Sequence, residues 1–314
     1  MGSKIVTERF LTTDDGVELY VRETRGPGRS KRAPLICANG IGVSTFFWKF
    51  IERDFHPERP VIVWDYRGHG KSGRPRDLKN LTIRRNAQDL VAVLDAFGHD
   101  KAVLIGHSMG VQVIFETYRI AASRVAAMIP MFGTYGRPVD TFWEMPIAAP
   151  IAFLLVHKIV TSLPKRLLKL QQQLKRPMMA KFASRFARLA RLVHPELMPQ
   201  TELDAYIAHF GDFDPEVFFR MAEKMATHTV DDILEKVHVP VLVVAGDKDL
   251  FTPLWLSEEM ADRLPRARLL IMTGGSHAGM VEQPDLIDAR VREFLVHELH
   301  EPERSQSSRL KAQA

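Results

Sequence analysis

Gly106-His107-Ser108-Met109-Gly110 follows the apolar run Ala102-Val103-Leu104-Ile105 and precedes Val111, Ile114, Phe115 and Tyr118, which are spaced as on one helix. A serine between two glycines at a strand-to-helix junction constrains this chain more than any other feature. A chain that turns from strand to helix at one residue holds that residue in a strained conformation and leaves no room for side chains on either side. Glycine at 106 and 110 removes the collision. Ser108 then stands at the end of a strand with its hydroxyl presented outward, beside the unpaired amides that open the helix. Taken alone, the pentapeptide also fits a tight turn carrying an incidental serine, and its context has to decide.

Short apolar runs recurring between helical stretches supply that context. Residues 17–24, 33–38, 60–65, 101–106, 125–131, 239–246 and 267–273 read as strands. Val61-Ile62-Val63-Trp64 and Val241-Leu242-Val243-Val244 are continuously apolar rather than alternating, as parallel strands covered on both faces are. Helices are predicted over 82–97, with Thr82 as N-cap and Gly98 just past the end, from 109 to 120, over 254–264, and from 284 to about 300. This order predicts an α/β fold, a mostly parallel central sheet flanked by helices. The alternation breaks once, over 133–237, where helical spacing continues with almost no strand signal. The expected organisation is a core of residues 1–132 and 238–300, a helical lid inserted at 133–237, and a disordered polar tail at 301–314.

With 314 residues, 46% of them hydrophobic, the chain can bury a full core. A single cysteine, Cys37, excludes an intramolecular disulfide framework and a multi-cysteine zinc site. No histidine spacing suggests a metal, so neither metal nor cofactor is expected. Residues 1–32 carry scattered charges and no apolar segment of the secretory kind, which makes the cytoplasm the expected compartment. The most lipophilic stretch, 145–160, is shorter than the roughly 20 residues a spanning helix needs and is interrupted by Pro146, Pro150, His157 and Lys158.

Charge is distributed unevenly. The formal charge is +5, yet residues 145–195 hold no acidic side chain and ten basic ones: Lys158, Lys165, Arg166, Lys169, Lys175, Arg176, Lys181, Arg185, Arg188 and Arg191. Within this run Phe182, Phe186, Leu189 and Val193 follow helical spacing beside Lys181, Arg185 and Arg188. Two readings compete. The apolar stripe docks onto the sheet domain and leaves the basic face solvated, or the basic face meets an acidic substrate or an anionic membrane surface as a peripheral contact. Nucleic acid is not an expected partner, because no binding motif accompanies the cluster.

A serine hydroxyl becomes a useful nucleophile when a histidine accepts its proton, and a carboxylate fixes that histidine's tautomer. The chain supplies both after predicted strands. Gly246-Asp247-Lys248-Asp249-Leu250-Phe251-Thr252-Pro253 carries two carboxylates, and Thr273-Gly274-Gly275-Ser276-His277-Ala278-Gly279 carries a histidine. In a parallel sheet these ends share one edge with Ser108.

With the segment Asp65-Tyr66-Arg67-Gly68-His69-Gly70-Lys71-Ser72, the chain resembles an α/β-hydrolase-fold protein of the serine-nucleophile, esterase- and lipase-like branch over residues 10–298, the variable insertion aside. The resemblance implies the order nucleophile, acid, histidine, met by Ser108, Asp249 and His277. Asp249 is preferred to Asp247 because the family's acid stands four positions before a proline, here Pro253; Asp247 is left a turn or capping role. Some members carry the acid after the preceding core strand, where this chain reads Pro130-Met131-Phe132-Gly133. The oxyanion hole is expected at the backbone N–H groups of Ile41 and Met109. Here the sequence departs from the commoner pattern, with Asn39 where a histidine often precedes the first glycine, which puts the loop's rigidity and a substrate contact of Asn39 in question.

The implied reaction is cleavage of a carboxylic ester through an acyl-enzyme, without cofactor, on a small-molecule ester of lipophilic or amphiphilic character. Carbon–carbon bond hydrolysis, cofactor-free perhydrolysis and acyl transfer use the same three residues and stay open. So does a non-catalytic ligand-binding module of the same fold. Epoxide hydrolases and haloalkane dehalogenases share the fold but place a carboxylate at the nucleophile position, so Ser108 argues against both. Asn39, His107, Phe132, Trp143 and Phe153 are the expected pocket residues, and His69 is expected to hydrogen-bond locally. The oligomeric state stays open.

Overall fold

The computed structural model describes residues 4–28, 30–138, 162 and 177–301. Eight strands form one sheet: β1 (Ile5–Thr12), β2 (Glu18–Arg25), β3 (Leu35–Ala38), β4 (Val61–Trp64), β5 (Ala102–His107), β6 (Val125–Met131), β7 (Val241–Gly246) and β8 (Ala267–Met272). Their spatial order is β1-β2-β4-β3-β5-β6-β7-β8. The β1–β2 and β2–β4 pairs are antiparallel, and every other pair is parallel.

The described helices of seven or more residues are α1 (Lys49–Phe55), α2 (Ile83–Ala96), α3 (Met109–Ala121), α4 (Pro177–Leu189), α5 (Gln200–Phe210), α6 (Pro215–Thr227), α7 (Leu254–Arg263) and α8 (Pro284–Leu299). Thr82 caps α2 as its sequence implies, its hydroxyl accepting from the Arg85 amide at 3.0 Å, and Gly98 follows the helix in the left-handed region.

Alternation along the strands divides the core in two. Ile36, Ile62, Leu104, Met128 and Val243 face α2, α3 and α7, whereas Leu35, Val61, Val103, Ile129 and Val244 face α1 and α8. Strands β3, β4, β5 and β7 are buried at every position. Water is thereby excluded from both faces, as a parallel sheet requires.

Two elements were not expected from the sequence. β1 is an edge strand with seven of its eight residues exposed, so it carries no apolar run to betray it. α1 is a short helix that continues a turn at Thr45–Trp48 and buries Ile51 and Phe55.

Between β6 and β7 lie α4, α5 and α6. Leu203 and Ile207 of α5 pack into the α1–α8 core, and Val217 and Met221 of α6 into the α2–α3 core. Val217 abuts Gly68 in the loop after β4, and Phe218 abuts Gly42 in the loop after β3, so α6 lies against the C-terminal ends of the strands. Of the two readings of the stripe, the docking of Phe182, Phe186 and Leu189 onto the sheet domain does not occur. These side chains are exposed, and of that stripe Val193 alone is buried. The inward face of α4 consists of Ala180, Ala183, Ser184 and Ala187, whose small size permits close approach to α5.

The loop after β4 is fixed by a buried ion network. Arg67 reaches both carboxylate oxygens of Asp89 at 2.8 Å and Asp15 at 2.8 Å. Burial raises the Asp89 pKa against the pull of Arg67. Removing one partner of such a pair leaves an uncompensated buried group, so Arg67→Ala should lower unfolding free energy by about 3–5 kcal/mol. Urea denaturation monitored by circular dichroism measures this, and an unchanged midpoint would contradict it.

Candidate active site

Ser108 occupies the single residue between β5 and α3, with φ +54° and ψ −117°. Such a conformation in a non-glycine residue costs on the order of 1–3 kcal/mol and persists only when packing enforces it. Enforcement comes from two glycines. A Cβ on Gly110 would lie 2.1 Å from the Ala38 carbonyl oxygen, and one on Gly106 would lie 2.4 Å from that of Gly110.

The His277 loop follows β8 and the Asp249 loop follows β7, adjacent in the sheet. His277 Nε2 is 2.9 Å from Ser108 Oγ, and its Nδ1 is 2.8 Å from Asp249 Oδ2. The Asp249 oxygens also accept from the amides of Phe251 at 2.8 Å and Thr252 at 3.0 Å, and from the Thr252 hydroxyl at 2.6 Å. Burial alone would raise the Asp249 pKa, but the charge on His277 and the hydrogen bonds from His277 and Thr252 outweigh it and hold the carboxyl below its ordinary value. Asp249 is therefore ionised at neutral pH. Asp247 has the other role: its Oδ1 accepts from the Gly274 amide at 2.7 Å and ties the acid loop to the histidine loop.

The His277 loop is held from a second side. The buried Glu282 carboxylate accepts from the Ser276 hydroxyl at 2.7 Å, the Ser276 amide at 3.1 Å and the His194 amide at 2.6 Å. His107 sits against Phe47 and His277, and its Nε2 donates to the His277 carbonyl at 2.9 Å. That bond fixes the proton on Nε2. Burial, with the adjacent His277, pushes the His107 pKa down to about 3, so it is a neutral positioning residue. Its sequence neighbourhood gave no sign of this contact, since the two residues are 170 positions apart.

Ser108 opens into a cavity of about 580 Å³ whose described lining is overwhelmingly apolar. Ile41, Met109, Ser108, His107 and His277 form one side. Ala183 and Ala187 of α4, Leu203, Ile207 and Phe210 of α5, and Phe218, Ala222 and Met225 of α6 form the other. The contributions of α5 and α6 were missed in the sequence, although each set recurs at i, i+4, i+7. Ile41 and Met109 both line the cavity beside Ser108, and among the described residues neither backbone N–H has a hydrogen-bond partner.

Two expected pocket residues lie elsewhere. Asn39 is fully buried, donating to the Trp64 carbonyl at 2.7 Å and accepting from Trp48 Nε1 at 2.5 Å, and it fixes the loop instead of lining the cavity. Phe132 is buried behind His107 and against Gly279, because its backbone turns at φ +48° after β6. Trp143 and Phe153 lie outside the described residues. His69 is buried, with Nδ1 3.3 Å from the Arg67 carbonyl, and burial lowers its pKa to about 4. Among the described residues no cluster of His, Cys, Asp and Glu is arranged to hold a metal.

These histidines make the fold acid-labile. His69 and His107 are neutral when folded, whereas unfolded they take up protons below about pH 6.5. Their contribution is thus complete above that pH and is lost as pH falls toward about 4 and about 3 respectively, at roughly 1 kcal/mol per pH unit each. Asp249 acts in the same direction at lower pH. Urea midpoints should fall between pH 7 and pH 4.5, and equal midpoints would contradict neutral burial.

Residues 35–290 match the alpha/beta hydrolase family. A protein of Caulobacter sp. (strain K31), RutD, named for carbamate hydrolysis, is 28% identical over 284 residues covering 90% of this chain and 97% of its own. Epoxide hydrolase A of Mycobacterium tuberculosis is 27% identical, covering 92% and 97%. Among solved structures, esterase RhEst1 from Rhodococcus sp. ECU1013 superimposes with a TM-score of 0.70 at 22% identity, covering 93% of this chain and 99% of that one. The last likeness is one of fold. The chain belongs to the alpha/beta hydrolase family and is a hydrolase.

Proposed function

We propose that the protein hydrolyses a carboxylic ester with an apolar acyl group through a covalent intermediate on Ser108. The reading is carried by the continuous hydrogen-bonded chain Ser108–His277–Asp249, at 2.9 and 2.8 Å, on the wall of a largely apolar cavity.

Ser108 Oγ attacks the acyl carbonyl while its proton passes to His277 Nε2. Asp249 accepts from the Nδ1–H, which orients the ring and stabilises its charged form. The amides of Ile41 and Met109 receive the charge that develops on the carbonyl oxygen. Collapse breaks the bond to the alcohol, which leaves with the proton from His277. Water then gives a proton to His277 and attacks the acyl-serine, and the acid departs as Ser108 recovers its proton.

The same chemistry separates this chain from one namesake activity among its relatives. A serine that opened an epoxide would form an ether, which has no carbonyl for water to attack; a carboxylate nucleophile forms an ester, which does. Carbamates are acyl compounds within reach of the mechanism, but the apolar lining favours a substrate with hydrocarbon to bury, at about 25 cal/mol per Å² removed from water.

A fluorophosphonate probe should label the wild type and leave Ser108→Ala unlabelled; a folded, unlabelled wild type would overturn the reading. Asp249→Asn should reduce kcat about ten-thousand-fold with KM little changed. Across a series of p-nitrophenyl esters, kcat/KM should rise from acetyl toward medium chains, and an optimum at acetyl would contradict the apolar pocket.

A further inference from the structure

α4 is built the wrong way round for a helix that only packs against its own protein. Its inward face carries Ala180, Ala183, Ser184 and Ala187, while Met178, Phe182, Phe186 and Leu189 point outward, 78%, 66%, 55% and 84% exposed. At about 100° per residue these four fall within one arc of roughly 80°. Lys181 and Arg185 fill the adjoining arc, and neither makes an ion pair among the described residues. Arg188, on that same side, is spent on the carbonyl of Met198 at 2.8 Å. The surface continues past the helix. Arg191 lines a crevice of about 860 Å³ with Leu250 and Trp255, which are 36% and 46% exposed.

Large exposed apolar groups on a monomer mark a surface that is covered in use. Charge says by what. α4 carries Lys181, Arg185 and Arg188 and no acidic side chain, so a partner seated on this helix meets positive charge from it, whereas the acidic groups Glu196, Asp247 and Glu258 lie in the crevice beyond. Phenylalanine and leucine beside lysine and arginine, with a half-exposed tryptophan nearby, suit the boundary between acyl chains and anionic headgroups.

We propose that α4 seats on the surface of an anionic lipid bilayer, its Met178, Phe182, Phe186 and Leu189 arc entering the acyl boundary and Lys181 and Arg185 meeting the headgroups. The contact is peripheral: no described helix is long and apolar enough to cross a membrane. Ala183 and Ala187, on the opposite face of α4, line the cavity that holds Ser108, so the bilayer lies one helix away from it. A lipophilic substrate dissolved in the bilayer then has a short path to the serine. Binding itself does not rest on the ester reading.

Co-sedimentation of the full chain with vesicles tests this without any turnover. The protein should pellet with vesicles of phosphatidylcholine mixed with phosphatidylglycerol, far less with phosphatidylcholine alone, and less as sodium chloride is raised. Lys181→Glu with Arg185→Glu should weaken binding to the mixed vesicles about tenfold or more, since each basic residue near such a surface contributes about fivefold. Phe182→Ser, Phe186→Ser and Leu189→Ser together should abolish binding with an unchanged circular dichroism melting curve, because all three side chains are exposed. Failure of the folded wild type to bind mixed vesicles would overturn the proposal, as would binding that neither variant alters. A wild-type dimer in analytical ultracentrifugation that the triple variant converts to monomer, with no vesicle binding, would assign the face to a second copy of the chain instead.

Discussion

The close approach of the β5–α3 elbow to the end of β3 is the contact on which the rest of the site depends. Gly110 lies so near the Ala38 carbonyl that any side chain would collide, and the same proximity sets the loop bearing Ile41 beside the first amide of α3. One backbone contact therefore strains Ser108 into the left-handed region and brings together two N–H groups from different strand ends. A second contact does the same for the other half of the site. Gly246, the last residue of β7, abuts the Gly275 carbonyl, which would lie 2.2 Å from any Cβ, and the Lys248 amide donates to that carbonyl at 3.0 Å. The loops carrying Asp249 and His277 are joined at the root, so their hydrogen bond is a consequence of backbone packing.

Around these contacts the polar side chains act as fixed supports. Glu282, Asp247 and His107 are each committed to backbone groups of the His277 loop, and Asn39 anchors the loop bearing Ile41 to the Trp64 carbonyl at the end of β4. None needs to touch a substrate to matter. In the proposed reaction Ser108, Asp249 and His277 are held on three strand ends, whereas the cavity proposed to receive the substrate is lined by helices α4, α5 and α6. On that proposal chemistry and substrate choice reside on different parts of the chain, and the second can change with little disturbance of the first.

This division explains what was legible in the sequence. The buried strands announced themselves because a parallel sheet needs unbroken apolar runs, and Ser108, Asp249 and His277 stood out because each follows a predicted strand in a small-residue loop. β1 left no such trace, since one neighbour suffices for an edge strand and nearly all its side chains face water. Asn39 and Phe132 were placed in the pocket by proximity in sequence, but a buried amide is directed by its hydrogen bonds and a ring by its backbone turn. The stripe Phe182, Phe186, Leu189 was read correctly as one face of a helix, yet periodicity fixes only that a face exists, not which way it points. On α4 the alanines face inward because close helix packing has room for nothing larger.

The central claim is that the reaction passes through an acyl group on Ser108. Single-turnover hydrolysis of an ester in ¹⁸O-labelled water, followed by acid quench and peptide mass spectrometry, tests it most directly. A transient acyl adduct is expected on the peptide containing Ser108, with the heavy oxygen appearing only in the released acid. Heavy oxygen incorporated into a protein carboxylate, or complete turnover with no adduct on that peptide, would contradict it.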